Sequence, residues 1–139
     1  MEQAELVTAN DQTRERTNKS EKERGLIMKT EEKFFAPIVH NMLGQTGKPV
    51  ANQFAIVMPE GSLFQSYNSR ICYYNVEENK LYFGTKWNYS RTTSKYLAQF
   101  LRVYAPRWYA RIMSYGKRTL AGNIQQAITD GVVTFVTNW

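Results

Sequence analysis

The chain has one cysteine and one histidine in 139 residues, and those two scarcities narrow the chemistry first. Cys72 has no partner for an internal disulfide, and His40 lacks the second His or Cys that a zinc-type ligand set requires. Cys72 lies in an apolar, strand-like run where a free thiol packs as a small hydrophobe. His40 ends the short apolar stretch Pro37-Ile38-Val39 and reads as a packing or surface residue. Acids are also few where catalysis would need them: Glu60, Glu77 and Glu78 fall in turn-like segments, and Asp130 precedes Gly131. With no nucleophile and base to pair, the expectation is a protein that is not an enzyme, with no cofactor and no metal. No stretch approaches the roughly 18 continuous apolar residues of a membrane span, and the opening MEQAE carries no signal-peptide apolar run. The expected location is the cytoplasm, with no membrane partner.

The scarcity of acid has a location. The first 30 residues hold six basic and six acidic side chains, so the net charge of +6 belongs wholly to residues 31–139, which carry 12 basic and 6 acidic groups. Between Glu78 and Asp130 there is no acid, whereas Lys80, Lys86, Arg91, Lys95, Arg102, Arg107, Arg111, Lys117 and Arg118 all fall in that window. A field of one sign draws an anionic partner through long-range attraction.

Residues 1–29 read as a disordered polar tail, because Glu, Lys, Arg, Thr, Asn and Gln dominate and there is too little apolar surface to offset chain ordering. Met28 and the residues after it also resemble a translation start, which would make the segment before it an upstream extension. Residues 30–139 then read as a single domain, with 42% hydrophobic and 14% aromatic residues overall to build a core. Thr30 followed by Glu31 and Glu32 suits a short helix start, with Pro37 bending it. Strands are expected at Phe54–Met58, at Leu63–Asn75 and at Leu81–Phe83, joined by turns at Pro59–Ser62 and Glu77–Asn79. The continuous apolar run at Phe54–Met58 suits a strand covered on both faces.

The second half turns helical. Ser90 caps a helix on which Tyr96, Leu97, Phe100, Leu101 and Tyr104 form one apolar stripe about 140° wide. Pro106 suits the first turn of the next helix, with Trp108, Ile112 and Met113 inward and Gly116 ending it. Thr119 caps a third, and Val132–Val136 returns as a strand. The expected fold is α+β, a mostly antiparallel sheet of about four strands with two or three helices packed on one face.

Two polar segments stand out. In Phe64 to Ser69 (FQSYNS), polar side chains occupy both alternating faces: Gln65, Ser66, Asn68 and Ser69 suit either a bulge or strand end bonded to nearby backbone or a set of donors and acceptors for a ligand, and Tyr67 shares their surface. In Lys86 to Tyr96 (KWNYSRTTSKY), Ser90, Thr92, Thr93 and Ser94 sit at a helix start beside Arg91 and Lys95, an arrangement that serves capping or holds an anion. Trp87 and Tyr89 are expected to pack between the third strand and the helix, joining the two segments into one surface. Together, FQSYNSRI and WNYSRTTSKYL with Phe100-Leu101 resemble a family of small proteins of unknown function found in bacteriophages and mobile elements, over about residues 52–101. The resemblance implies a mobile-element origin and no established activity.

The leading expectation is a non-catalytic, nucleic-acid-associated accessory protein. Lys86, Arg91, Lys95, Arg102, Arg107, Arg111, Lys117 and Arg118 would meet phosphates, and interleaved Trp87, Tyr89, Tyr96, Tyr104, Trp108, Tyr109 and Tyr115 would stack on bases, a combination suited to single-stranded nucleic acid. The alternative is a protein-binding module that modulates a host or phage protein by docking its basic face on an acidic protein surface.

Overall fold

In the computed structural model, the residues described are 36–139, and Pro37–Trp139 form one compact unit. The expectations of a polar tail over 1–29 and of a helix starting near Glu31 lie outside these residues, except at Pro37 and beyond. From Ile38 the chain is strand rather than helix.

Six strands form one sheet in the order of the sequence: β1 (Ile38–Leu43), β2 (Pro49–Met58), β3 (Gly61–Ser66), β4 (Ser69–Asn75), β5 (Lys80–Gly84) and β6 (Thr134–Val136). The first five make an antiparallel meander. Three helices, α1 (Arg91–Tyr104), α2 (Pro106–Met113) and α3 (Leu120–Thr129), then carry the chain back so that β6 joins β5 in parallel. The fold is α+β, with two more strands than expected. One is β1, and the other appears because Leu63–Asn75 is two strands folded back at Tyr67-Asn68.

Register explains the core. Ala55 lies opposite Phe64, Phe64 opposite Cys72, and Cys72 opposite Phe83. All four are fully buried, and this row is the floor on which the helices rest. Phe100 of α1 stacks on Phe64 with centroids 5.7 Å apart, and Leu97, Leu101, Ile112 and Ile124 complete the layer. The opposite face carries the row Ile56, Leu63, Tyr73 and Tyr82, all only half-buried, so the Phe54–Met58 strand is covered well on one face and partly on the other. Between Phe64 and Gln65 the β3–β4 register slips by one residue at Ile71, a bulge that breaks the alternation just before the turn.

The helices follow their sequence signals. The Ser90 side chain accepts a hydrogen bond from Thr93 N–H, and Thr119 caps α3 by accepting from Gly122 N–H. Pro106 opens α2, where Trp108 and Ile112 are buried; Met113, expected inward, is the last residue of the helix and is 37% exposed. Gln99 of α1 grips the edge of the sheet, its Oε1 accepting from Leu43 N–H at 2.9 Å and its Nε2 donating to Leu43 C=O at 2.8 Å.

Candidate functional site

The FQSYNS segment is a two-residue hairpin. Ser66 ends β3, Ser69 begins β4, and Tyr67 sits at the first turn position with φ of +54°. That backbone region is open to glycine and strained for a residue with a side chain. The turn is held from both sides: Tyr67 N–H donates to Asn52 C=O at 2.7 Å, and Gln65 Nε2 donates to Tyr67 C=O at 2.8 Å. The Gln65 amide is therefore engaged by the turn rather than offered to a ligand. The Tyr67 ring is left 55% exposed.

The KWNYS segment approaches from the other side. Trp87 is buried and meets Phe83 edge-on with centroids 6.1 Å apart. Trp87 N–H donates to Gly84 C=O, and Tyr89 N–H donates to Lys86 C=O, so the chain turns twice in six residues. The second turn swings Tyr89 outward. Its ring is 70% exposed, which corrects the expectation that it packs beside Trp87; the Lys86 ammonium stands 5.5 Å from its centroid. The hydroxyls then join the two segments. Thr93 Oγ1 lies 3.1 Å from both Ser66 Oγ and Ser90 Oγ, and Thr93 and Ser66 are buried.

Between them lies a cleft of about 570 Å³ lined by Ser66, Tyr67, Asn68, Ser69, Lys86, Tyr89, Ser90, Thr92 and Thr93, with Ile71 at its base. A second cleft, of about 420 Å³, shares Asn68, Ser69 and Lys86 with the first and adds Arg70, Thr85 and Trp139. Trp139 fits there because Gly84 has no side chain: a β-carbon on Gly84 would lie 2.9 Å from the indole Cε3. A third, shallower cleft of about 720 Å³ shares Ser90 and continues past Arg91, Ser94 and Lys95 to the start of α3 at Thr119 and Leu120. The second and third each adjoin the first through these shared lining residues, and together the three make up a trough.

Arg70, Lys86, Arg91 and Lys95 line the trough, and among the described residues no acid does. Glu60 lies in the β2–β3 turn, Glu77 and Glu78 in the β4–β5 turn, and Asp130 beyond α3. Neither α1 nor α3 has an acid in its first turn, so the positive ends of both helix dipoles are left unopposed.

The remaining cations fall elsewhere. Arg102 is exposed on α1 and stands over the Tyr109 ring at 5.7 Å, and Arg111 covers Trp108 at 4.9 Å. Arg107 borders a separate cavity with Tyr74 and Tyr104, and Lys117 and Arg118 occupy the exposed α2–α3 connection. Most of the interleaved aromatics belong to the core: Trp87, Tyr96 and Trp108 are buried, and Tyr104, Tyr109 and Tyr115 half-buried. Trp108 donates its indole N–H to Asn79 Oδ1 at 3.2 Å, which docks α2 on the β4–β5 turn. Arg70 and Trp139 are among the lining residues that escape a sequence reading. Arg70 directly follows the polar FQSYNS motif but reads as part of a long strand, and Trp139 reaches the trough only through the parallel return of β6.

Burial pushes the Cys72 thiol well up, and burial with Glu60 and Glu78 nearby raises the Tyr73 phenol. A hydrogen bond to Glu78 raises Tyr82, and burial raises Tyr104. Among the described residues, no group of three His, Cys, Asp or Glu is placed to hold a metal ion. No helix among them is long and apolar enough to cross a membrane.

No curated protein and no solved structure matches the chain significantly. The match to a family model is broader than the motif resemblance. It runs from residue 5 to residue 111, taking in the polar segment ahead of Met28, all of β1 to β5 and α1, and most of α2. A match of this extent makes the chain a member of that family, a family of unknown function (DUF8033).

Proposed function

We propose that this chain is a non-catalytic accessory protein, of bacteriophage or mobile-element origin, that binds single-stranded nucleic acid in the cytoplasm. One observation carries the reading: three adjoining clefts in which four cations and three exposed aromatic rings lie together, with no acid among the described residues that line them. Cations along a groove follow a phosphate backbone, and aromatic faces beside them stack on bases regardless of sequence. The aromatics that suit the reading are Tyr67, Tyr89 and Trp139 rather than the buried rings of the helices. Mobile-element origin is supported by the FQSYNS and WNYSRTTSKYL motifs, and a cytoplasmic setting by the lone cysteine, unpaired and buried in the core.

The test is whether nucleic acid accompanies the purified protein, read as the ratio of nucleic-acid to protein ultraviolet absorbance. A ratio that is high at low salt and falls to that of pure protein after a high-salt wash supports the reading.

A second reading, a protein-binding module that modulates a host or phage protein, has its own observation. Ile38, Val39 and Leu43 are 51%, 56% and 48% exposed along β1, which is the edge of the described sheet. An apolar edge of this kind suits pairing with a partner strand. Under this reading the protein purifies free of nucleic acid at every salt concentration.

A further inference from the structure

We infer that Tyr67 and Tyr89 form a stacking site for one unpaired nucleobase, with Lys86 beside it to meet the adjoining phosphate, a deepening that rests on the nucleic-acid reading above. The argument begins with backbone cost. Two-residue hairpins that need positive φ ordinarily use Gly, Asn or Asp, whereas this one places a tyrosine at φ of +54°. A strained residue persists only where something compensates it, and such outliers concentrate at ligand sites. The hydrogen bonds to Asn52 and from Gln65 hold the backbone, and the ring takes no part, since more than half of it faces solvent.

Tyr89 repeats the pattern by another route. Two consecutive turns fix its backbone and aim it away from the core into which its neighbour Trp87 is packed, and at 70% exposed it is the most open large apolar side chain described. The two rings reach the same cleft. Its volume, about 570 Å³, falls in the range of pockets that hold a nucleotide-sized ligand, and its wall carries Asn68, Ser69 and Thr92 as donors and acceptors. Lys86 already sits 5.5 Å over the Tyr89 ring, so a cation and a stacking face arrive together.

A base can lie on these rings only when it is free of its own stack and pair. The site therefore selects single strands over duplex, and it tolerates any base because every base has a π-face. Cations alone give no such selection, because a duplex presents phosphate more densely than a single strand.

The experiment titrates fluorescently labelled oligothymidylate, and a duplex of equal length, against the full chain and its variants at about 50 mM salt by anisotropy. Tyr67→Gly removes the ring and also relieves the backbone. The expected result is a melting temperature unchanged or higher together with single-strand affinity lowered about 5- to 150-fold, the range for one lost base stack. Tyr89→Ala is expected to weaken single-strand binding within the same range, and Tyr67→Phe and Tyr89→Phe to bind as the parent does. Duplex affinity should be weaker for the parent and little changed by Tyr67→Gly.

Three results overturn the inference. If Tyr67→Gly and Tyr89→Ala bind like the parent while Arg91→Glu with Lys95→Glu loses affinity, the base site is wrong and the nucleic-acid reading survives. A lower melting temperature for Tyr67→Gly shows that the ring serves the fold instead. If the parent protein binds neither oligonucleotide, the base site and the nucleic-acid reading fail together.

Discussion

Ser66 Oγ lies 3.1 Å from Thr93 Oγ1, and this buried contact ties the last residue of β3 to the first turn of α1. Thr93 Oγ1 also receives the Ser90 hydroxyl, whose oxygen in turn caps the helix by accepting from Thr93 N–H. The three hydroxyls therefore hold the two walls of the trough together. Thr93→Val keeps the shape and leaves Ser66 buried without this partner, which should cost about 1 to 3 kcal/mol. Urea unfolding of Ser66→Ala, Thr93→Val and the double variant checks it. The expected cycle shows a coupling of about 0.5 kcal/mol or more, and additive single effects would mean that the hydroxyls act separately.

Trp87 carries the second wall. Its ring is 6% exposed and abuts Phe83, so Trp87→Ala should lower stability by about 3 to 5 kcal/mol. Tyr89→Ala, two residues away, should change stability by no more than about 0.5 kcal/mol, because surface substitutions away from packed features do little. Equal losses in the two variants, measured by chemical denaturation, would contradict the outward placement of Tyr89.

These neighbours also show what the sequence makes legible. The α1 stripe of Tyr96, Leu97, Phe100 and Leu101, the Ser90 and Thr119 caps and Pro106 at the start of α2 are local signals, and the structure follows them. The sequence joins the FQSYNS and KWNYS segments through packing of Trp87 and Tyr89, whereas the structure joins them through buried Trp87 and the hydrogen bonds of Thr93, with Tyr89 turned outward. The Tyr67-Asn68 turn is not legible, because a tyrosine at positive φ carries no Gly or Asn-Gly signature. Strand β1 is hidden for a different reason: His40 and Asn41 interrupt its apolar residues, and its anchoring comes from Met42 in the core and Gln99, 56 residues from Leu43. Exposure of Tyr89 and the arrival of Trp139 beside Lys86 depend on turn geometry and on the β6 return, neither of which has a sequence period.

Cys72 gives a pH dependence with a definite sign. Burial holds its thiol well above the ordinary value in the folded protein, so the folded state keeps this proton after the unfolded chain has lost it. The contribution is complete below the ordinary thiol value, about 8.5, and is lost progressively as pH rises above it. Tyr73 and Tyr104, also raised, add the same sign above about pH 10. Denaturation midpoints should therefore fall on the alkaline side. A thiol reagent should label Cys72 only on unfolding; rapid labelling of the native protein would contradict its burial.

The central claim is that the trough follows a single-stranded phosphate backbone through Arg70, Lys86, Arg91 and Lys95, and its most direct test is the salt dependence of single-strand affinity. Four phosphate contacts give a log-log slope near about −3, a loss of roughly fiftyfold between about 50 and 200 mM salt. Arg91→Glu with Lys95→Glu should flatten the slope by about half while leaving the unfolding midpoint nearly unchanged, since exposed charges contribute little to folding. No measurable affinity at about 50 mM salt, or a slope that the two reversals leave intact, would contradict the account.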